Sequence, residues 1–238
     1  MFRRITALNN HGVESMKYGR FQEAIYSFRH ALDCLQNAST DVNGIKAHGV
    51  EVLQQPQHQP LQVISTPLEC LNHALVLSIS PHNIFEVYQC AFTLSPGSSS
   101  KHTITETMMV VVYNLGLAHH LVVLSWLPAH ALQDHLKEAL RCYKIAASCF
   151  RSCRYGEEYG SGAFMISSLT LVLGLLNNLG HTLAHFFNYT EARKCGMVLE
   201  DLMDPSRCSH MLPDNEGDFF FLTLSFIQVP TTTSAPAA

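Results

Sequence analysis

Charge is scarce in this chain: 15 Lys and Arg and 19 Asp and Glu are spread over 238 residues, with no tract of like sign. A net charge of −4 supplies no basic field, so nucleic acid is excluded as a partner. The eight cysteines (34, 70, 90, 142, 149, 153, 195 and 208) contain no CxxC pair and no regular framework. A Gly-rich phosphate loop, a Gly-x-Ser-x-Gly elbow and a His-Glu-x-x-His helix are all missing, and no spacing ties Ser, His and Asp together. The chain therefore reads as non-enzymatic, with no catalytic residue, no cofactor and no metal. Its first residues, Met-Phe-Arg-Arg-Ile-Thr, lack an apolar signal region, and reduced thiols in a cytoplasmic or nuclear setting are expected. Uninterrupted apolar runs of membrane length are missing too. Residues 108–132 contain Asn114, His119, His120 and His130, and residues 163–176 stop at Asn177-Asn178. Both fall short of the roughly 20 apolar residues a span needs, so buried helices are expected and membrane insertion is not.

Hydrophobic residues, by contrast, make up 47% of the chain, enough for a sizeable core. Three short stretches resemble one another: Leu8-Asn9-Asn10-His11-Gly12, Val112-Tyr113-Asn114-Leu115-Gly116 and Leu176-Asn177-Asn178-Leu179-Gly180. Self-similarity of this kind is the signature of a repeat architecture. In the first unit Leu8, Val13 and Met16 suit one helix, Tyr18-Gly19-Arg20 breaks it, and Phe21, Ala24, Ile25, Phe28, Ala31 and Leu32 form one apolar face of a second. Small residues at Gly12, Ala24 and Ala31 let two helix backbones approach.

Gly12, Gly19-Arg20-Phe21, Glu23-Ala24-Ile25, Phe28 and Ala31-Leu32 together resemble a tetratricopeptide repeat, a helix–turn–helix unit. The fold expected is mainly α: a tetratricopeptide-like α-solenoid of stacked helix hairpins, forming a single domain over residues 1–227. Its units fall at about 6–38, 106–154 and 163–204. Gly12 and Ala24 are twelve residues apart, as are Gly180 and Ala192, but Gly116 and Ala139 are twenty-three apart. Eleven residues have thus been added to the second unit, read as two long helices joined by a turn at about 125–129. In the third unit a helix over about 162–187 precedes a second over about 189–202, with Phe187 where the family's turn glycine stands.

An irregular insertion, about 39–105, separates the first two units. Residues 54–60 read as an exposed loop, residues 61–66 and 84–94 have the β-branched and aromatic content of short strands, and residues 96–100 form a flexible connector. Leu75, Val76, Leu77, Ile79, Phe85, Val87, Tyr88 and Phe92 give the insertion enough apolar surface to pack onto the helices. Residues 216–227, with four Phe, suit a segment that caps the repeats, as helix or strand. Residues 228–238 read as a disordered tail.

The resemblance implies that the first helix of each unit lines a concave groove. Asn10, Asn114 and Asn178 share one repeat position, and an amide side chain bonds both a peptide C=O and a peptide N–H. They resemble the asparagine ladders by which some family members hold an extended peptide. Beside them Val13 and Lys17, Leu117 and Leu121, and His181 and His185 are expected to line the same groove. His181 and His185 have a metal-like i, i+4 spacing, but a polar groove lining is the simpler reading without a third ligand. Cys149 and Cys153 likewise share a helix face and suit inert buried thiols. Cations to clamp a terminal carboxylate are missing from the matching positions, which include Asn9, Val13, Gly174 and Asn178. Two functions stay open: a scaffold binding a protein or peptide in the groove, and a structural or self-associating module whose groove its own insertion or C-terminal segment fills.

Overall fold

Ile5, Asn9, Gly12, Val13 and Met16 recur at helical spacing and are all buried, which defines the inner face of the first helix, α1 (Phe2–Lys17). The computed structural model describes residues 1–45, 62–68, 85–95, 101–125, 129–155, 164–204, 212 and 214–228. After α1 come α2 (Phe21–Ile45), strands β1 (Val63–Pro67) and β2 (Cys90–Leu94), and helices α3 (Lys101–Leu124), α4 (Ala129–Tyr155), α5 (Phe164–His185), α6 (Tyr189–Leu202) and α7 (Asp214–Gln228). Among the described residues the protein is thus mostly helical with one small sheet. The expected loop at 54–60, residues 75–79, connector 96–100 and tail from 229 lie outside the described residues.

The helices pack as hairpins, α1 with α2, α3 with α4 and α5 with α6; α2 also packs on α3 and α4 on α5. Helix α3 sits between neighbours on several sides, touching α1, α2, α4, α5 and β2. That position explains why it is apolar almost all round. Its stretch Ile104–Leu124 is long and apolar enough to cross a membrane, but 83% of an 18-residue window in it is buried inside the protein.

Two hairpins turn by the same device. At the end of α1, Gly19 N–H donates to Met16 O and Arg20 N–H to Ser15 O, with Gly19 at φ +69°. At the end of α5, Phe187 N–H donates to Ala184 O and Asn188 N–H to Leu183 O. These are the paired bonds that close a helix through a left-handed residue. In the second turn that residue is Phe187, at φ +57° and 78% exposed. A side chain in this conformation costs about 1–2 kcal/mol, and its exposure means little packing offsets the strain. Phe187→Gly is therefore expected to stabilise the protein by about 1 kcal/mol, once the added freedom of the unfolded chain is deducted. A denaturant titration that shows a lower midpoint for the variant would contradict this.

Parts of the two expected strand segments form an antiparallel pair, with Val63 opposite Leu94, Ser65 opposite Phe92 and Pro67 opposite Cys90; residues 85–89 of the second segment lie outside the strand. Strand β2 lies on α1 and α3, and β1 reaches α5. Residues 216–227, open between helix and strand by composition, belong to helix α7.

Candidate functional site: a ladder of asparagines on an internal strand

Pairing alternates along an antiparallel ladder, so each strand turns every second residue's N–H and C=O away from its neighbour. Ser95 N–H donates to Gln62 O and Leu68 N–H to Gln89 O, which fixes the alternation. Cys90, Phe92 and Leu94 therefore aim their backbone groups away from β1 and into the helices. A buried strand edge without partners would cost about 1–3 kcal/mol per orphaned group.

Side chains from the first helix of each hairpin take the place of a third strand. Asn10 Oδ1 accepts from Leu94 N–H at 2.9 Å, and its Nδ2 donates to Leu94 O at 2.8 Å. Asn114 grips Phe92 in the same way, at 2.9 Å and 2.7 Å. Asn178 grips Tyr88, at 2.8 Å and 3.0 Å. Each amide thus mimics one residue of a neighbouring strand. The residue preceding each of these asparagines extends the pattern by one carbonyl. Asn9 Nδ2 donates to Phe92 O, the Tyr113 hydroxyl to Cys90 O, and Asn177 Nδ2 to Glu86 O. In every unit, the preceding residue therefore reaches the carbonyl two residues upstream of the one the asparagine holds.

The segment runs against the order of the hairpins, with Leu94 at the first, Phe92 at the second and Tyr88 at the third. Two residues separate the first pair of rungs and four the second, about 7 Å and about 13 Å of extended chain. Two rungs are also joined to each other: Asn114 Nδ2 donates to Asn9 Oδ1 at 2.9 Å, and Asn9 Nδ2 to Asn10 Oδ1 at 3.1 Å.

Glycines make room for the segment's side chains. A Cβ on Gly174 would lie 2.5 Å from the Tyr88 ring, and one on Gly180 would lie 2.6 Å from the Phe85 ring. The glycines of the three similar stretches divide in what they make room for. Gly12 accommodates Phe28 of α2 and Gly116 accommodates Tyr143 and Cys142 of α4, which is hairpin packing; Gly180 seats the internal segment instead. The Tyr88 ring is further held by Phe219 and Phe220 of α7, with centroids 5.2 Å and 4.8 Å away. Its hydroxyl lies 3.4 Å from Ser65 Oγ.

Comparison with known proteins adds nothing to this geometry. No protein-family model, curated protein or solved structure matches the chain.

The other residues expected in the groove separate into three groups. Val13, Leu117 and Leu121 are fully buried parts of the core. Lys17 stands apart from the buried face of α1: its side chain is exposed and pairs with Glu14 at 3.0 Å. His181 is buried, with Nδ1 3.0 Å from His120 Nε2, and His120 Nδ1 lies 3.2 Å from the Tyr143 hydroxyl. His185 packs edge-on against Phe186. Burial, then the neighbouring His185, pushes His181 down to about 3. Burial, His181 and His185 hold His120 well below its ordinary value. Of the expected polar lining, His181 is thus a neutral ring bonded to His120 within the core, while His185 is half-buried. Among the described residues no three His, Cys, Asp or Glu side chains converge as metal ligands. Cys34, Cys90, Cys142, Cys149 and Cys195 are free thiols.

Sequence reasoning missed Asn9, Tyr113 and Asn177 as backbone donors. A signal for two of them was present in the doubled Asn9-Asn10 and Asn177-Asn178. Successive residues on a helix point about 100° apart, so only a strand lying across the helix meets both.

Proposed function

We propose that this chain is a non-enzymatic, tetratricopeptide-like interaction module whose peptide groove is filled by its own insertion. Of the two functions open from the sequence, the structural or self-associating module is the better supported. The observation that favours it is the set of paired Asn10, Asn114 and Asn178 bonds to Leu94, Phe92 and Tyr88. The side chains suited to hold a foreign peptide backbone are already saturated by the protein's own. The insertion is then an integral part of the core, and partners meet the surfaces outside the groove.

Binding of a labelled peptide of residues 85–95 to the full chain tests this reading. A tethered segment competes at an effective concentration on the order of mM. The expected result is no saturable binding in the micromolar range. Micromolar binding that Asn114→Ala abolishes would overturn the proposal and favour a receptor for free extended peptides.

A further inference from the structure

The two edges of the small sheet differ. On β2 the outward C=O of Cys90 is taken by Tyr113, and the outward N–H and C=O of Phe92 and Leu94 are taken by Asn114 and Asn10. On β1 the same alternation turns out the N–H and C=O of Val63 and Ser65 and the C=O of Pro67. Among the described residues these backbone groups of Val63 and Ser65 carry no hydrogen bond. Both residues are half-buried, and Ile64 between them is 53% exposed. Natural edge strands are usually blunted by charge, proline or a bulge. Residues 62–68 contain no charged side chain, and the proline stands only at the end.

We propose that β1 pairs antiparallel with β1 of a second copy of this chain, about a two-fold axis at Ile64. The pattern of outward groups selects this occupant and this register. With the axis at Ile64, Val63 of one copy faces Ser65 of the other, and each pair exchanges two N–H···O bonds. All four outward N–H groups and their four carbonyl partners are then used, while Pro67, which has no N–H, falls outside the pair. An axis at Ser65 would set Val63 opposite Pro67 and leave each Val63 carbonyl without a donor. The chain's negative charge does not oppose this contact, because residues 62–68 are neutral. The two Ile64 side chains meet across the axis as a non-hydrogen-bonded pair, the closer of the two pair types. A ladder this short buries little area, so the dimer is a weak, concentration-dependent one. The inference rests on the self-filled groove, because the ladder of asparagines is what leaves β1 as the outer strand.

The test is sedimentation equilibrium of the full chain across the micromolar range, repeated with Val63→Pro. The Val63 N–H plays no part in the β1–β2 ladder, so proline removes only the outward donor. Dimer affinity is expected to fall about tenfold or more for the two bonds lost per dimer. Mild oxidation of Ile64→Cys is expected to give a 64–64 cross-linked dimer, mapped by peptide mass spectrometry. A dimer indifferent to Val63→Pro that gives no 64–64 cross-link would overturn the proposal, and so would a monomer at every concentration. Amide exchange at Phe92 separates the two failures. If Phe92 stays protected in a strictly monomeric protein, only the dimer proposal fails and the self-filled groove stands. If Phe92 exchanges freely, both fail.

Discussion

Asn114→Ala is expected to destabilise the protein by about 4 kcal/mol. The substitution leaves Phe92 N–H and Asn9 Oδ1 without partners, both in buried surroundings, at about 1–3 kcal/mol per orphaned group. Phe92 O keeps its bond from Asn9 Nδ2, which limits the damage. Asn10→Ala is expected to cost less, about 1–2 kcal/mol, because its bonds to Leu94 are only part-buried and water replaces them. Asn114→Asp is not expected to rescue: a carboxylate accepts from Phe92 N–H but cannot donate to Phe92 O or Asn9 Oδ1, and it buries a charge. Urea titration of the three variants checks the order. Equal, small losses at Asn10 and Asn114 would mean that the segment is not held as described.

Mild acid is expected to weaken the fold steeply between pH 6.5 and 5. Three buried histidines have folded-state values below the ordinary 6.5: His119 at about 4, His181 at about 3 and His120 well below its usual range. For each, burial is the main cause. His135, Arg29 and Arg141 add to it at His119, and neighbouring histidines add to it at His120 and His181. Well above pH 6.5 all three are neutral in both the folded and unfolded chain, and none affects stability. Below 6.5 the unfolded chain takes up protons that the folded chain refuses, so stability is lost as pH falls, until the folded values are reached. Each group contributes at most about 1.4 kcal/mol per pH unit, so three acting together remove about 5 kcal/mol by pH 5. Denaturant midpoints at pH 7.5, 6 and 5 check this. A flat profile would show that these rings accept protons in place, contrary to the packing of His120 against His181 and Tyr143.

The helices and the position of the ladder were legible in the sequence, but the ladder's occupant was not. Helical spacing at Phe21, Ala24, Ile25, Phe28, Ala31 and Leu32 gives α2 directly, because a helix's buried face is a local property. The shared position of Asn10, Asn114 and Asn178 is equally local, and it marked the three residues that hold a backbone. That they hold Leu94, Phe92 and Tyr88 depends on contacts across 84, 22 and 90 residues. No local period reports such a contact. The apolar content of residues 85–94 did indicate that the insertion packs onto something. Lys17 shows the opposite limit. Extending a groove by helical spacing reached a position whose side chain is exposed and pairs with Glu14 of the same helix. Gly180 shows a third limit, since a glycine's spacing reveals that space is needed and not which side chain fills it.

The most direct measurement is amide hydrogen exchange of the full chain, read at Tyr88, Phe92 and Leu94. All three N–H groups donate to asparagine side chains rather than to a neighbouring strand. If the insertion fills the groove as part of the core, Tyr88 and Phe92 exchange nearly as slowly as the central residues of α3, and Leu94, at the part-buried end, only moderately faster. Asn114→Ala then accelerates Phe92 selectively. Exchange of all three at the rate of an open loop, with α3 still protected, would contradict the account.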